Sequence, residues 1–202
     1  MGVGSAVLAG LVRRVRDGSP RLGPPGREGR LVVVDGPACS GKTTLAAQLA
    51  AALPAQVVHM DDLYEGWNGL AGGVERLGAQ VLDPLAAGRD GRYQRYDWDT
   101  GVFAEWHDVP PAPYLVVEGC GAGARRFADL TTLLVWVEAE DAERLARGIE
   151  RDGDGSSGHL RAWMAAERAV YQAEGTARRA DVRLDGWGAV TWPAAGLQAR
   201  GA

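Results

Sequence analysis

The sequence predicts an α/β fold in which a doubly wound, mostly parallel sheet of five strands is flanked by helices. Short apolar runs rich in β-branched residues alternate along the chain with helical patterns, and this alternation is typical of parallel βαβ units. One of these runs, residues 31–35, leads directly into a glycine-rich turn and then into a helical pattern. A chain of 202 residues can bury one sizeable core, so we expect a single domain over residues 1–202.

The N-terminal part of the chain, residues 1–29, is predicted to be a helix followed by a linker. A helix is expected over residues 4–16, because apolar side chains recur there at helical spacing, namely Val3, Val7, Leu8, Leu11, Val12 and Val15. Residues 17–29 are rich in glycine, proline and arginine, which is typical of a loop or linker.

The remaining elements alternate as the fold requires. The predicted strands cover residues 31–35, 56–59, 114–118, 132–137 and 181–184, and the predicted helices cover residues 42–53, 141–151 and 159–174.

An aromatic-rich insert, residues 63–110, separates the second and third strands. Within it we expect a helix over residues 74–85 and an extended or looped stretch over 93–98. The Gly- and Ser-rich residues 152–158 are predicted to be a mobile loop within a lid region, 147–160.

Composition favours a cytoplasmic protein whose partners are small molecules. The net charge of −4 and the pI of about 5.4 argue against nucleic acid as a partner, because a basic surface is missing. The two cysteines, Cys39 and Cys120, fit neither a disulfide framework nor a metal-binding spacing, which favours a reducing compartment. The N-terminus lacks the charge order of a signal peptide, and no apolar run reaches about 18 residues, so we expect no membrane segment.

Residues 36–43, GPACSGKT, match the phosphate-binding (Walker A) pattern G-x-x-x-x-G-K-[ST] in its expected place between a strand and a helix. Glycines let successive backbone N–H groups point at phosphate oxygens, and the following helix N-terminus adds partial positive charge. Lys42 supplies a charge for the outer phosphates, and the Thr43 hydroxyl is placed to bind Mg²⁺. We therefore expect ATP and Mg²⁺ as cofactors. The predicted nucleotide-binding residues are Gly36, Ala38, Cys39, Ser40, Gly41, Lys42, Thr43 and Thr44.

Three carboxylates follow predicted strands, at the edge where ligands bind in open α/β sheets. Glu118 ends the third strand and is expected to hold Mg²⁺ together with Thr43. Asp61 and Asp62 follow the second strand, where a carboxylate can orient an acceptor hydroxyl and take its proton. Ordinary strand-end or capping carboxylates are the alternative at these positions.

Further features of the sequence leave alternatives open. Arg144, Arg147 and Arg151 lie at helical spacing before the lid, where they could neutralise a transferring phosphoryl group or pair with nearby glutamates on a solvated face. The aromatic residues of the insert could stack on a substrate or pack in the core. Residues 119–124, GCGAGA, also fit the dinucleotide-binding pattern G-x-G-x-x-A, with Glu138 about twenty residues later.

The ordered set of motifs resembles the uridine kinase family of phosphate-loop kinases, which includes phosphoribulokinase-like and pantothenate kinase-like members. The resemblance covers residues 31–186. It rests on the phosphate-binding loop followed by MDDLY at 60–64, YDW at 96–98, VEG at 117–119, EAEDAERLARGIERD at 138–152 and ADV at 180–182. The loop alone is shared by many nucleotide-binding proteins, whereas the ordered set is much more specific.

The resemblance implies a role for each matched residue. Asp61 would be the general base, and Lys42, Arg147 and Arg151 would act on the transferring phosphoryl group. The acceptor would be bound by Asp62, Tyr64, Tyr96, Asp97 and Trp98. Two differences from the family pattern leave the identity of the acceptor undetermined. The lid at 152–158 is poor in arginine, and Asp99 and Thr100 follow Trp98 where nucleoside kinases carry a histidine.

The sequence thus predicts an ATP-dependent kinase, a phosphotransferase that moves the γ-phosphate of ATP to a hydroxyl of a nucleoside-like or other small alcohol. The alternative is a phosphate-loop ATPase or switch that phosphorylates no small molecule. A GTPase is disfavoured, because Asn68 is followed by Gly69 and cannot begin an N-K-x-D motif. Trp187 and Trp192 near the C-terminus could pack in the core or support a homodimer.

Overall fold

Strands and helices alternate through residues 2–192, the part of the chain that the computed structural model describes. The strands are β1 (Arg30–Asp35), β2 (Gln56–His59), β3 (Gly91–Asp97), β4 (Val102–Val109), β5 (Tyr114–Glu118), β6 (Thr131–Glu138), β7 (Val182–Asp185) and β8 (Val190–Trp192). The helices are α1 (Ser5–Asp17), α2 (Lys42–Ala52), α3 (Leu70–Arg76), α4 (Asp83–Ala86), α5 (Asp141–Asp152), α6 (Ser157–Glu174) and α7 (Thr176–Arg179). This alternation confirms the predicted α/β class.

Six of the strands form the central sheet, in the order β2-β5-β1-β6-β7-β8. The five strands predicted from the sequence all form and run parallel, and β8 pairs antiparallel with β7 as an addition that the sequence did not predict. The central strand β1 is buried on both sides over residues 31–35, which explains its continuous apolar run. The register pairs both Val34 and His59 with Glu118, so the carboxyl ends of β1, β2 and β5 meet at one edge.

Helices cover both faces of this sheet. On one face, α1 and α2 pack against the sheet strands, and the buried helical side chains are Leu11, Val12, Val15, Leu45, Ala46 and Leu49. Helix α1 begins one residue later than predicted and shows the expected amphipathic burial. On the opposite face, α3, α6 and the segments around them enclose a second core with Tyr64, Leu77, Phe127 and Trp163 among its buried members.

The insert between β2 and β5 forms a helical arm and a β-hairpin. Helices α3 and α4 are joined by a π-helical segment, Leu77–Leu82, so helical structure extends beyond the predicted residues 74–85 at both ends. Strands β3 and β4 then form a separate antiparallel pair. The prediction of an extended or looped stretch missed β4. Most of its side chains are exposed or half-buried, so it lacks the apolar alternation that marks a half-buried strand.

The segment predicted to be a lid region, residues 147–160, is more helical than expected. Helix α5 ends at Asp152, Gly153 adopts a φ of 84°, residues Asp154–Ser156 form a 3₁₀ turn and α6 begins at Ser157. The Ser156 hydroxyl donates a hydrogen bond to the Gly153 carbonyl at 2.7 Å, which holds the turn. The end of α5, a 3₁₀ turn and the start of α6 therefore occupy most of the predicted loop over residues 152–158. None of the helices within residues 2–192 has the length and apolar character needed to cross a membrane.

The packing of α1 can be tested with Leu11→Ala. Leu11 is fully buried against the sheet, so the substitution should lower the free energy of unfolding by about 2–5 kcal/mol, through lost transfer energy and a cavity. Urea denaturation followed by circular dichroism measures this change. Ala9→Gln, on the exposed side of the same helix, is the control and should change stability by less than about 0.5 kcal/mol. Equal stability of the two variants would show that α1 does not belong to the folded core.

Candidate active site

The phosphate-binding loop connects β1 to α2 along a path that its glycines permit. Gly36 has a φ of 144° and Gly41 a φ of 103°, and a Cβ at Gly36 would collide with the Val137 carbonyl. Cys39 also has a positive φ, of 61°, an uncommon conformation that proteins retain mainly at functional loops. Because Lys42 is the first residue of α2, the loop ends at a helix N-terminus, which favours a bound anion.

The Lys42 side chain lies buried beneath this loop. Its ammonium donates a hydrogen bond to the Pro37 carbonyl at 2.8 Å and lies 3.8 Å from the Cys120 sulfur. Burial by itself lowers the pKa of Lys42, but the acidic groups around it, Cys120 and Glu118 foremost, raise it overall. Lys42 therefore presents a fixed positive charge to the loop.

Glu118 connects the loop to the neighbouring strand β2. Its carboxylate is buried, and Oε1 accepts a hydrogen bond from the Thr43 hydroxyl at 3.1 Å. The same oxygen lies 2.7 Å from His59 Nδ1, and this hydrogen bond raises the pKa of His59. The pairing of His59 with Glu118 in the sheet register explains why these side chains meet.

Thr43 and Glu118 are the residues that could hold a metal ion. They offer oxygen ligands, which Mg²⁺ prefers. Among residues 2–192, no group of three or more histidine, cysteine, aspartate or glutamate side chains could hold a metal. An ion at this position must take its other ligands from phosphate and water, as Mg²⁺ usually does. The donor set therefore fits Mg²⁺ carried in with a nucleotide.

Asp61 and Asp62 lie in a short 3₁₀ turn, Met60–Asp62, immediately after β2. The Asp61 side chain is exposed to the cleft, although protein atoms beyond its immediate contacts displace much of the surrounding water. This desolvation, followed by repulsion from Glu118, raises the pKa of Asp61. The Trp98 indole donates a hydrogen bond to the Asp61 carbonyl at 3.0 Å, and Asp62 accepts one from the Tyr93 hydroxyl at 3.1 Å. The hairpin thus fixes the turn that carries both carboxylates.

A buried ion pair, which we call the loop brace, holds the phosphate-binding loop from behind. It consists of Arg144 on α5 and Glu167 on α6, which are almost fully buried and 2.7 Å apart. Glu167 accepts a hydrogen bond from the Ala38 amide at 2.8 Å, and Arg144 donates one to the Ala38 carbonyl at 3.0 Å. Both backbone polar groups of Ala38 are therefore held by charged side chains. The prediction that Arg144 could face a phosphoryl group is wrong, because the residue is a structural partner of the loop.

The buried carboxylate of Asp35 tests whether residues 119–124 form a dinucleotide-binding turn. Asp35, at the end of β1, accepts hydrogen bonds from the amides of Gly121 at 3.0 Å and Gly123 at 2.8 Å. Those amides are the groups that a dinucleotide pyrophosphate would need. Only a 3₁₀ turn, Arg125–Phe127, follows in place of the helix that the dinucleotide motif requires. The dinucleotide interpretation of this stretch is therefore not supported.

Arg147 and Arg151 lie on the side of α5 that faces the cleft. Arg147 donates hydrogen bonds to the Cys39 carbonyl at 3.2 Å and to Glu143 at 2.6 Å, and its guanidinium lies 5.1 Å from the Trp187 ring centre. Arg151 forms an ion pair with Asp152 at 2.6 Å. That bond is the main cause of its raised pKa, and the nearby Cys39 and Asp61 add to it. Arg151 therefore interacts electrostatically with both the loop and the candidate base.

These groups share one open cavity of about 990 Å³. We call its loop side the donor half. The donor half is lined by Ala38, Cys39, Gly41, Lys42, Thr43, Thr44, Arg147, Arg151, Gly186 and Trp187. Gly36 and Ser40, which were also predicted to bind the nucleotide, are not among the lining residues. Ser40 is fully buried, and Gly36 packs against Val137.

We call the opposite side the acceptor half. It is lined by Asp61, Asp62, Tyr64, Trp67, Arg95, Tyr96, Trp98, Asp99, His159 and Trp163. Tyr64 borders the cavity but is almost completely buried, and its hydroxyl donates to the Cys120 carbonyl at 2.6 Å. Asp97 is not among the lining residues. Its carboxylate caps the hairpin turn by accepting from the Thr100 and Asp99 amides and from Arg95, and these bonds, that of Thr100 foremost, lower its pKa to about 2.

The sequence did not predict the roles of several residues of the site. His59, Glu167 and Trp187 carry no motif signal, and only the folded chain brings them to the loop. Trp67 was noted among the aromatic residues of the insert, but its stacking on His159 of α6, at 5.4 Å, could not be predicted. Trp187 borders the cavity rather than the core, and the side chain of Trp192 lies outside the described residues.

Comparison with solved structures identifies the fold, whereas no family model and no curated protein matches this sequence. A possible uridine kinase from Bacillus stearothermophilus is 22% identical, with a TM-score of 0.64 over 88% of this chain and 96% of that one. A provisionally assigned fructose transport system kinase from Silicibacter sp. TM1040 is 24% identical, with a TM-score of 0.56 over 85% and 96%. D-glycerate 3-kinase from Cryptococcus neoformans is 12% identical, with a TM-score of 0.51 over 93% and 95%.

These similarities show that the chain has the fold of the P-loop kinases. The resemblance to the uridine kinase family is thereby confirmed at the level of the fold.

The loop brace can be tested with Glu167→Gln. Removing one charge leaves Arg144 without its buried counter-ion and paired only with the exposed Asp141, which should lower the free energy of unfolding by about 3 kcal/mol. The double variant Arg144→Met with Glu167→Leu removes both charges and should recover most of that stability. It should still bind ATP at least ~10-fold more weakly, because the Ala38 amide and carbonyl lose their partners.

Two measurements separate these effects, namely urea denaturation for stability and titration with a fluorescent ATP analogue for affinity. Arg168→Met, which removes an exposed ion pair with Asp141 on the same helix pair, serves as the control for both. Normal ATP affinity in the stable double variant would contradict a role for the brace in shaping the loop.

Proposed function

We propose that this protein is an ATP-dependent kinase that transfers the γ-phosphate of ATP to a hydroxyl group of a small alcohol, nucleoside-like compounds included. The observation that carries the proposal is that Asp61 shares one cavity with Lys42 and with the hydrogen-bonded pair Thr43 and Glu118. A phosphate cradle, oxygen ligands for Mg²⁺ and a carboxylate facing them are the parts that phosphoryl transfer requires.

The donor half of the cavity would bind ATP. The backbone amides of Cys39 and of residues 41–44, which line the cavity, and the Lys42 ammonium would hold the phosphates, because they offer positive charge at a helix N-terminus. Arg147 and Arg151 would neutralise charge that develops on the transferring phosphoryl group. The nucleotide base would pack beside Arg147 and Trp187, whose flat groups border the cavity next to Gly41.

Thr43 and Glu118 would hold one Mg²⁺ ion together with phosphate oxygens and water. When bound, the ion would neutralise phosphate charge during transfer. The hydrogen bond from His59 would keep the Glu118 carboxylate oriented toward Thr43.

Asp61 would act as the general base. Its carboxylate would accept a hydrogen bond from the acceptor hydroxyl and take the proton as that oxygen bonds to the γ-phosphorus and the bond from the γ-phosphorus to ADP breaks. The raised pKa brings the group closer to neutral pH, which makes it a better proton acceptor than an ordinary aspartate. Asp62 and the insert, residues 63–110, would supply the acceptor site, the insert through Tyr64, Tyr96 and Trp98, with the lid, residues 147–160, excluding water.

A phosphate-loop ATPase or switch is the alternative. Such a protein needs the donor half alone, whereas here aromatic and acidic side chains extend the cavity beyond Asp61. A kinase releases ADP at a substantial rate only when its acceptor is present, while an ATPase does so in water. Incubation with a library of small alcohols, with ADP release and product mass as readouts, separates the two.

The base assignment predicts a specific loss in Asp61→Asn. The amide keeps the shape of the side chain but cannot take a proton, so kcat should fall by about 10²–10⁴-fold while ATP affinity changes little. Steady-state kinetics and titration with a fluorescent ATP analogue measure the two quantities. Asp108→Asn on the hairpin surface, outside the cavity, should behave as the native protein. Full turnover by Asp61→Asn would exclude Asp61 as the base.

The raised pKa of Asp61 also predicts a pH dependence. A base works only when it is ionised, so kcat should fall as the pH drops through the raised pKa of Asp61, above the ordinary value of 3.8. The profile should be measured at saturating ATP, Mg²⁺ and acceptor, so that metal binding does not set the acidic limb. A rate that stays constant down to pH 4 would contradict the assignment.

A further inference from the structure

The acceptor half of the cavity carries an excess of negative charge. Asp61, Asp62 and Asp99 line it, and among residues 2–192 no arginine or lysine forms an ion pair with any of the three. Of the cationic side chains of the donor half, Lys42 and Arg147 contact the phosphate-binding loop, where ATP would engage them, and Arg151 is paired with Asp152. Bound ATP would therefore leave the acceptor half negative.

The arginine of the acceptor half does not reverse this balance. Arg95 is held by Glu105 through two hydrogen bonds, at 2.6 and 3.2 Å, and by Asp97 at 3.1 Å. The two negative charges of Glu105 and Asp97 exceed the single positive charge of Arg95. A carboxylate or phosphate on the acceptor would thus meet no unpaired cation on this side, and would face repulsion from the aspartates.

Aromatic rings form the walls between these carboxylates. Trp67 and Trp98 meet at 5.4 Å with an interplanar angle of 71°, and Tyr96 meets Trp98 at 5.5 Å and 87°. Perpendicular rings of this kind form a corner, and 41% of the Trp98 surface is exposed. Aromatic faces attract cations through the ring quadrupole, and corners of such rings recognise alkylammonium groups.

We propose that the acceptor is an alcohol that carries a positive charge, as an amine or quaternary ammonium group, bound in the corner of Trp67 and Trp98 beside Asp62 and Asp99. This proposal rests on the proposed function for the identity of the acceptor half. A neutral polyhydroxylated ring is the main competitor, because its hydroxyls would also bind carboxylates and its faces would stack on tryptophan.

Branched alcohols of similar size separate the charge classes. Choline and its uncharged carbon isostere 3,3-dimethyl-1-butanol differ mainly in charge, and hydroxypivalate is an anionic branched alcohol that is one methylene shorter. Binding is followed by tryptophan fluorescence with Mg²⁺ and a non-hydrolysable ATP analogue present. We expect choline to bind at least ~10-fold more tightly than the neutral isostere and hydroxypivalate not to bind. Equal or absent binding of choline overturns the proposal.

Variants locate the effect within the cavity. Asp62→Asn and Asp99→Asn should each weaken choline binding several-fold without changing the affinity for the neutral isostere, because only the charge is removed. Asp108→Asn, outside the cavity, should change neither. Unchanged choline affinity in both cavity variants would show that the cation binds elsewhere.

Transfer assays keep the two proposals distinguishable. ADP release should be fastest with amino alcohols when amine-bearing, neutral and acidic alcohols are compared at equal concentration. Fast release with neutral or acidic alcohols would overturn the charge proposal and leave the kinase proposal intact. Preferential choline binding without ADP release from any alcohol would overturn the kinase proposal and leave a cation-binding site at these rings and carboxylates.

Discussion

The parallel register of β1, β2 and β5 is the constraint on which the site depends. It aligns Val34 and His59 with Glu118, so three strand ends stop at the same edge. The phosphate-binding loop follows the end of β1, and the turn that carries Asp61 follows the end of β2. Glu118 is the last residue of β5. A shift of β2 by one residue would turn His59 away from Glu118, because successive side chains point to opposite faces. The chemistry of the cavity is therefore a consequence of strand pairing.

Buried polar groups keep the loop in its shape. Asp35 accepts hydrogen bonds from Gly36, Gly121, Gly123 and Tyr171, and Glu167 holds the Ala38 amide. Burial raises the pKa of Asp35, which shows that its surroundings are costly for a charge. Such groups persist in a fold only where hydrogen bonds offset desolvation. Asp35 lies on β1 and Glu167 on α6, so the sheet and helix α6 both hold the loop.

The fold and the donor half were accessible from the sequence because their signals are local. The loop pattern, the apolar run before it and Glu118 at the end of the next apolar strand each occupy a few consecutive residues. The loop brace joins residues 23 apart, and His59 and Glu118 are 59 apart, so no local pattern reveals them. Strand β4 was missed because its exposed side chains carry no apolar alternation.

The two halves of the cavity also differ in what determines their specificity. Backbone amides and a helix N-terminus make up much of the donor half, and any sequence that adopts the loop provides them. The acceptor half consists of side chains from the 3₁₀ turn, the hairpin and α6, whose identities can change without disturbing the sheet. Similarity to solved structures at 22–24% identity shows the fold alone, so the ligand of the acceptor half must be inferred from the charges and rings themselves.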